Sequence, residues 1–163
     1  MRIIITGACG HIGSYVAENV HKIKKIKSTI LIDNLESNRY CSIFNLKKKS
    51  NIKFHVKDLN DIKALNEFKK VDYLIHCASM TNAEKSFGNE KEMYKNNINC
   101  LKTTIKYCKK NSVKLIHLSS TSVYGKQAEI VDEDCEKKYL KPQSPYAKIK
   151  LIEENMLKKE SKN

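Results

Sequence analysis

The sequence predicts an α/β fold built on a parallel sheet of about five strands. Three observations predict it. Short apolar, β-branched runs alternate with helical periods along the whole chain, a pattern that calls for parallel strands joined by right-handed crossovers. The first run, Ile3-Ile4-Ile5, leads directly into a glycine-rich turn, Gly7-Ala8-Cys9-Gly10-His11-Ile12-Gly13. The length of 163 residues and an apolar fraction of 40% suit one domain with a core that needs neither metal nor disulfide.

Each element can be justified in order. Arg2 to Thr6 is a β-branched run, read as a buried strand. His11 to Lys24 carries a helical stripe of Ile12, Val16, Val20 and Ile23. Thr29 to Ile32 is the second strand and ends at Asp33. Tyr40 to Leu46 reads as a short helix and Ile52 to Val56 as the third strand. Asp61 to Phe68 places Ile62, Leu65 and Phe68 on one helical face, and Val71 to Cys77 is the fourth strand. A long helix spans about Lys91 to Lys110, the fifth strand runs Val113 to Leu118, and residues 120–143 form a polar loop. Pro145 opens the last helix, where its missing N–H costs little. No internal repeat, low-complexity linker or interior boundary divides the chain, so residues 1–163 are expected to be a single domain.

The formal net charge of +13 invites a nucleic-acid reading, but only Arg2 and Arg39 are arginine. Arginine is the usual bidentate reader of phosphate and guanine. The lysines are spread over helix faces and loops, so solvated faces are the expectation and a specific nucleic-acid partner is not. The six cysteines, at 9, 41, 77, 100, 108 and 135, show no C-x-x-C and no neighbouring His pair. That spacing suits neither zinc nor a disulfide framework, and no metal is expected. Met1 leads straight into a predicted strand, so no signal peptide is expected, and no apolar stretch nears the roughly 20 residues that span a bilayer. A cytoplasmic setting without membrane association is the expectation.

A strand that ends in a glycine-rich turn and opens a helix aims unpaired N–H groups and a positive dipole end at one point, which suits a pyrophosphate. The spacing here is G-x-x-G-x-x-G, and a mere tight turn is the plain alternative. Asp33, about 20 residues beyond Gly13, could accept both ribose hydroxyls and would repel a 2′-phosphate, favouring NAD over NADP. A cap or turn role for Asp33 is the competing reading. Asn34 beside it, with His11 and Ile12 in the turn, completes the expected cofactor contacts. Asp58-Leu59 could hold the adenine edge, although Asp58 as an N-cap is nearly as good a reading.

Tyr146 and Lys150 stand four apart on the last helix and share a face. A free phenol is a poor base at neutral pH; an ammonium one turn away and a cationic nicotinamide would stabilise its phenolate. Ser120, at the C-terminal end of the fifth strand, could bond a substrate oxygen and relay the proton. Taken alone, Y-x-x-x-K is weak, because a surface tyrosine with a solvated lysine produces it by chance.

In combination these motifs resemble the extended short-chain dehydrogenase/reductase family, the NAD-dependent nucleotide-sugar epimerase/dehydratase group. Ile75-His76-Cys77-Ala78-Ser79 resembles the family's cofactor-lining fourth-strand segment, which implies contacts from Cys77, Ala78 and Ser79. Tyr94-Lys95-Asn96-Asn97 is similar to its Y-x-x-N motif, with Asn97 steadying helix and cofactor site. Ser119-Ser120-Thr121-Ser122-Val123-Tyr124-Gly125 resembles the catalytic Ser/Thr segment, and Pro142-Gln143-Ser144-Pro145-Tyr146 the lead into the proton-transferring tyrosine. The resemblance implies a Rossmann-type doubly wound sheet in the order 3-2-1-4-5, with NAD as cofactor and a nucleotide sugar as substrate. Ser120, Tyr146 and Lys150 would be its catalytic residues. It also implies a homodimer through the long helix and the tyrosine helix.

Thr121-Ser122 stands where the group's 4,6-dehydratases carry an Asp-Glu pair, so elimination of water is disfavoured. Cys100 replaces a frequent small glycine. Family members usually continue well beyond the tyrosine helix, so the expectation is a chain lacking the C-terminal strands and substrate lobe, either a fragment or a natural truncation. The functional expectation is an epimerase-like protein. A non-catalytic NAD-binding module or inactive fragment is one alternative, and a nucleotide-sugar dehydrogenase/reductase the other.

Overall fold

The computed structural model describes residues 1–46, 51–81, 87–127 and 130–161. Five strands, β1 (Arg2–Thr6), β2 (Ser28–Asp33), β3 (Ile52–Val56), β4 (Tyr73–His76) and β5 (Lys114–His117), form one sheet in the order β3-β2-β1-β4-β5. Every pairing is parallel, with Ile5 opposite Leu31 on one side and Ile75 on the other. The fold is the Rossmann-type arrangement that the motifs imply.

Alternation along the strands explains why both faces are dry. Ile4, Ile30, Ile32 and Leu74 join Leu65, Phe68, Tyr107 and Cys108 in one cluster, whereas Ile3, Ile5 and Leu31 pack with Ala17, Val20 and Ile43 in another. A parallel sheet buried on both faces reads in sequence as a continuous apolar run, which is what Ile3-Ile4-Ile5 is.

The described residues also form three α-helices: α1 (His11–Asn19), α2 (Glu90–Asn111) and α3 (Pro145–Glu160). α2 carries Glu90 and Glu92 in its first turn and Lys109 and Lys110 in its last, matching its macrodipole at both ends. α3 starts with Ser144, whose hydroxyl accepts the Ala147 N–H at 3.1 Å, followed by Pro145.

Several boundaries differ from expectation. The first helix stops at Asn19 and continues as a 3₁₀ turn over Val20–Lys22, since Ile23 is extended and 52% exposed and contributes nothing to hold a further helical turn. Tyr40–Ile43 is also a single 3₁₀ turn. The expected helix over Asp61–Phe68 is instead a run of turns closed by i→i+3 bonds, including Ala64 N–H to Asp61 and Phe68 N–H to Leu65. The three apolar positions there satisfy a tight turn as well as a helix: Leu65 and Phe68 are buried, but Ile62 is 41% exposed.

The chain packs as two compact units. One comprises Met1–Ser79 with Asn99–Leu118 and contains the whole sheet; the other comprises Met80–Ile98 with Ser119–Asn163 and contains α3.

Candidate functional site

In the sheet-bearing unit, the turn after β1 is shaped by backbone contact. Gly7 has φ +64°, and a Cβ there would lie 2.6 Å from the Ala78 amide nitrogen. A Cβ on Gly13 would land on the Gly7 carbonyl oxygen. Only glycine allows this conformation and these approaches without distortion. Gly10 donates to Gly7 O at 3.0 Å and precedes α1 without a side-chain cap, so the first-turn N–H groups of α1 point out of the turn. Gly13 is buried, while His11 and Ile12 are exposed at the start of the helix. This is a cradle that admits an anion to backbone N–H groups and that side chains would fill.

Asp33 closes the cradle from β2. It is 8% exposed; Oδ2 accepts the Cys9 N–H and Oδ1 the Leu35 N–H, both at 2.9 Å. The carboxylate therefore ties the glycine turn to the end of β2 and also closes a local turn, so the cap role and a ribose-binding role are compatible on one side chain. Each oxygen keeps a second lone pair. Asn34 is exposed and folds onto Glu36. Asp58 is exposed and accepts from the Asn60 N–H and side chain, a local turn-capping role, and Leu59 is a core residue. Ala78 lies against Gly7, and the Cys77 N–H donates to Thr6 O at 3.1 Å, so this segment borders the cradle. Ser79 is half-buried at the end of the unit.

The second unit holds the other predicted residues. Asn97, 1% exposed, accepts the Met80 N–H at 2.8 Å and donates to Met80 O at 3.1 Å, bracing the segment that follows Ser79. The Ser120 side chain acts on the Tyr146 phenol as a hydrogen-bonding neighbour. Lys150 Nζ stands 5.9 Å from the Tyr146 ring centroid. Met93, Ile98 and Ile149 pack with Met80, Tyr146 and Met156, which holds the phenol half-buried. Burial pushes the Tyr146 phenol above its ordinary value; the Ser120 hydrogen bond pulls it down and the Glu153 carboxylate pushes it up again.

Two groups here escaped the sequence reading. The Ser122 hydroxyl is 2.8 Å from that of Ser120. Glu153 is 2% exposed and accepts from Lys150 Nζ at 2.8 Å. The i,i+3 spacing from Lys150 permits the pair, but nothing in the sequence marks its burial. Among the described residues no group of three or more His, Cys, Asp or Glu could hold a metal, and no helix is long and apolar enough to cross a membrane.

The chain is 32% identical over 174 residues to a dTDP-D-glucose 4,6-dehydratase of Dictyostelium discoideum, covering 96% of this chain and 39% of that protein. Among solved structures it superposes on the UDP-Glc/GlcNAc 4-epimerase of Campylobacter jejuni with a TM-score of 0.87 and 30% identity, covering 98% of this chain and 49% of the other. A UDP-glucuronic acid 4-epimerase of Bacillus cereus, solved with NAD, matches with a TM-score of 0.83 and 28% identity over 100% of this chain and 53% of that one. The chain thus spans about half or less of the length of these relatives. Residues 3–163 match the family described as the NAD dependent epimerase/dehydratase family, and with the glycine cradle, Asp33 and the parallel sheet in place the chain belongs to that family.

Proposed function

We propose that this chain is the cofactor-binding part of a nucleotide-sugar epimerase-like protein. The observation that carries the reading is the convergence of Ser120 and Lys150 on the Tyr146 phenol. Gly7, Gly10, Gly13 and Asp33 would hold NAD, with His11, Ile12, Asn34, Asp58, Leu59, Cys77, Ala78, Ser79 and Asn97 contributing contacts or support. When bound, NAD supplies an acceptor for the hydride of a sugar carbon. Tyr146, as phenolate, removes the proton from the hydroxyl on that carbon. Ser120 bonds the same oxygen and relays that proton to Tyr146, with Ser122 fixing its hydroxyl. Lys150 favours the phenolate by its charge. The reading requires the Tyr146 hydroxyl to meet the nicotinamide.

A dehydratase would need an acid and a base beside Ser120, where Thr121 and Ser122 stand, so epimerisation is preferred over elimination despite the Dictyostelium relative. A dehydrogenase/reductase uses the same proton-transfer residues and differs in product release. An NAD-binding module that does not turn over is the other reading, and the turnover assay below separates the two. A homodimer formed through α2 and α3 is part of the proposal, and the mass in solution tests it.

The experiment is NAD titration followed by turnover on UDP-, GDP- and dTDP-sugars. Tyr146→Phe should lower kcat by about 10²–10⁴-fold with NAD affinity little changed, in line with loss of a general base. Turnover that survives Tyr146→Phe refutes the assigned chemistry. NAD binding without turnover on any sugar favours the module.

A further inference from the structure

The tyrosine helix buries a charge that proton transfer does not itself require. Lys150 and Glu153 are 4% and 2% exposed, and their ion pair measures 2.8 Å. An i,i+3 lysine–glutamate pair on a helix is ordinarily solvated and contributes little. Buried, each ion loses hydration and is stabilised by the other. A carboxylate held in this position acts on whatever titrates beside it.

Tyr146 is what titrates beside it. The phenol, the ammonium and the carboxylate follow one another at positions 146, 150 and 153 of α3, on one face. Lys150 Nζ lies 5.9 Å from the phenol ring and 2.8 Å from Glu153 Oε2. Among the described residues, the Ser120 hydroxyl and the uncharged side chains of Met80, Met93, Ile98, Ile149 and Met156 also neighbour Tyr146 in this unit. The two members of the pair carry opposite charges and act on a phenolate with opposite signs. Burial is the main cause that raises the Tyr146 phenol, and the Glu153 carboxylate adds to it.

We propose that Glu153 is a positioning residue of the site: it fixes the Lys150 ammonium on the Tyr146 face of α3 and offsets its charge there. The role of Tyr146 as proton acceptor comes from the function proposed above; the electrostatic coupling itself does not depend on it.

Titration of the 163-residue chain, labelled with ¹³C at tyrosine Cζ and without cofactor, tests the coupling; Tyr146→Phe assigns the resonance. Glu153→Gln keeps the shape and removes the charge, and should move the Tyr146 midpoint to lower pH. Lys150→Met should move it to higher pH. The double variant, with both charges gone, should return toward the parent, and Glu153→Asp, which keeps the charge, should stay near it. Should Glu153→Gln fail to fold by near-ultraviolet circular dichroism, Glu153→Met fills the site without charge and should give the same downward shift. An unchanged or raised midpoint in the folded uncharged variant overturns the proposal. That failure leaves the proposed function standing, whereas turnover by Tyr146→Phe would remove the function and leave the coupling intact.

Discussion

Gly7 shows how one residue can carry both geometry and chemistry. Its φ of +64° and its contact with the Ala78 backbone leave no room for a side chain. Gly7→Ala should cost at least roughly 2 kcal/mol, because left-handed backbone alone costs about 1–2 kcal/mol without glycine. Thermal unfolding should show a drop of several degrees, together with loss of NAD binding. Asp33 is the other decisive residue. Asp33→Ala leaves the Cys9 and Leu35 N–H groups without their acceptor, and hydrogen bonds to a charged group are worth about 1.5–3 kcal/mol each. The expected outcome is weaker NAD binding with a smaller preference over NADP, read by calorimetry with both cofactors; an unchanged preference would remove Asp33 from the ribose site. Thiol chemistry separates the cysteines in the same way. Cys41 is exposed, whereas burial pushes the Cys9 and Cys108 thiols up to about 12. Mass spectrometry after brief alkylation near neutral pH should find Cys41 modified and Cys9 and Cys108 untouched until the chain unfolds.

At the scale of elements, α3 is placed by its first residues. Ser144 satisfies the Ala147 N–H and Pro145 presets the first turn, so the start of the helix fixes where Tyr146 points. Ser144→Ala should cost about 1 kcal/mol, or roughly 2–4 °C in melting temperature for a chain of this size. It should also raise the KM for a sugar substrate more than a surface Ser→Ala does, because Tyr146 lies within the frayed turn. Equal KM values in the two variants would separate the cap from the site. α2 is set in a different way: its acidic first turn and basic last turn favour it locally, and Asn97 then anchors its N-terminal half to Met80.

Over the whole molecule, stability is tied to protons held in the core. Cys9 and Cys108 rise from 9.0 to about 12, and Tyr107 from 10.0 to about 12, each mainly through desolvation. These groups stay neutral in the folded chain while the unfolded chain releases their protons above about pH 9. Their contribution is complete below the unfolded values and is lost as pH climbs through the folded ones. The melting temperature should therefore fall steeply between about pH 9 and 12. Cys108→Ala should start from a lower melting temperature and show a flatter slope over that range. An identical slope would mean that the thiol ionises equally in both states.

How much of this was legible beforehand depends on the range of the interaction. The order of elements, the parallel sheet, the glycine turn and the Y-x-x-x-K spacing are local patterns, written in consecutive or near-consecutive residues, and the sequence by itself determined them. The turns over Asp61–Phe68 were misjudged because three apolar residues at that spacing suit either form, and exposure of Ile62 depends on what packs above it. Burial of Glu153 was equally invisible, since an i,i+3 pair with Lys150 looks the same in sequence whether wet or dry. Tertiary structure alone decided that Asp33 ties down Cys9, that Asn97 grips Met80, and that Glu153 faces Lys150 out of water. The physical reason is common to all three: hydrogen bonding and desolvation depend on which distant segments close over a group, and no window of neighbouring residues contains that information.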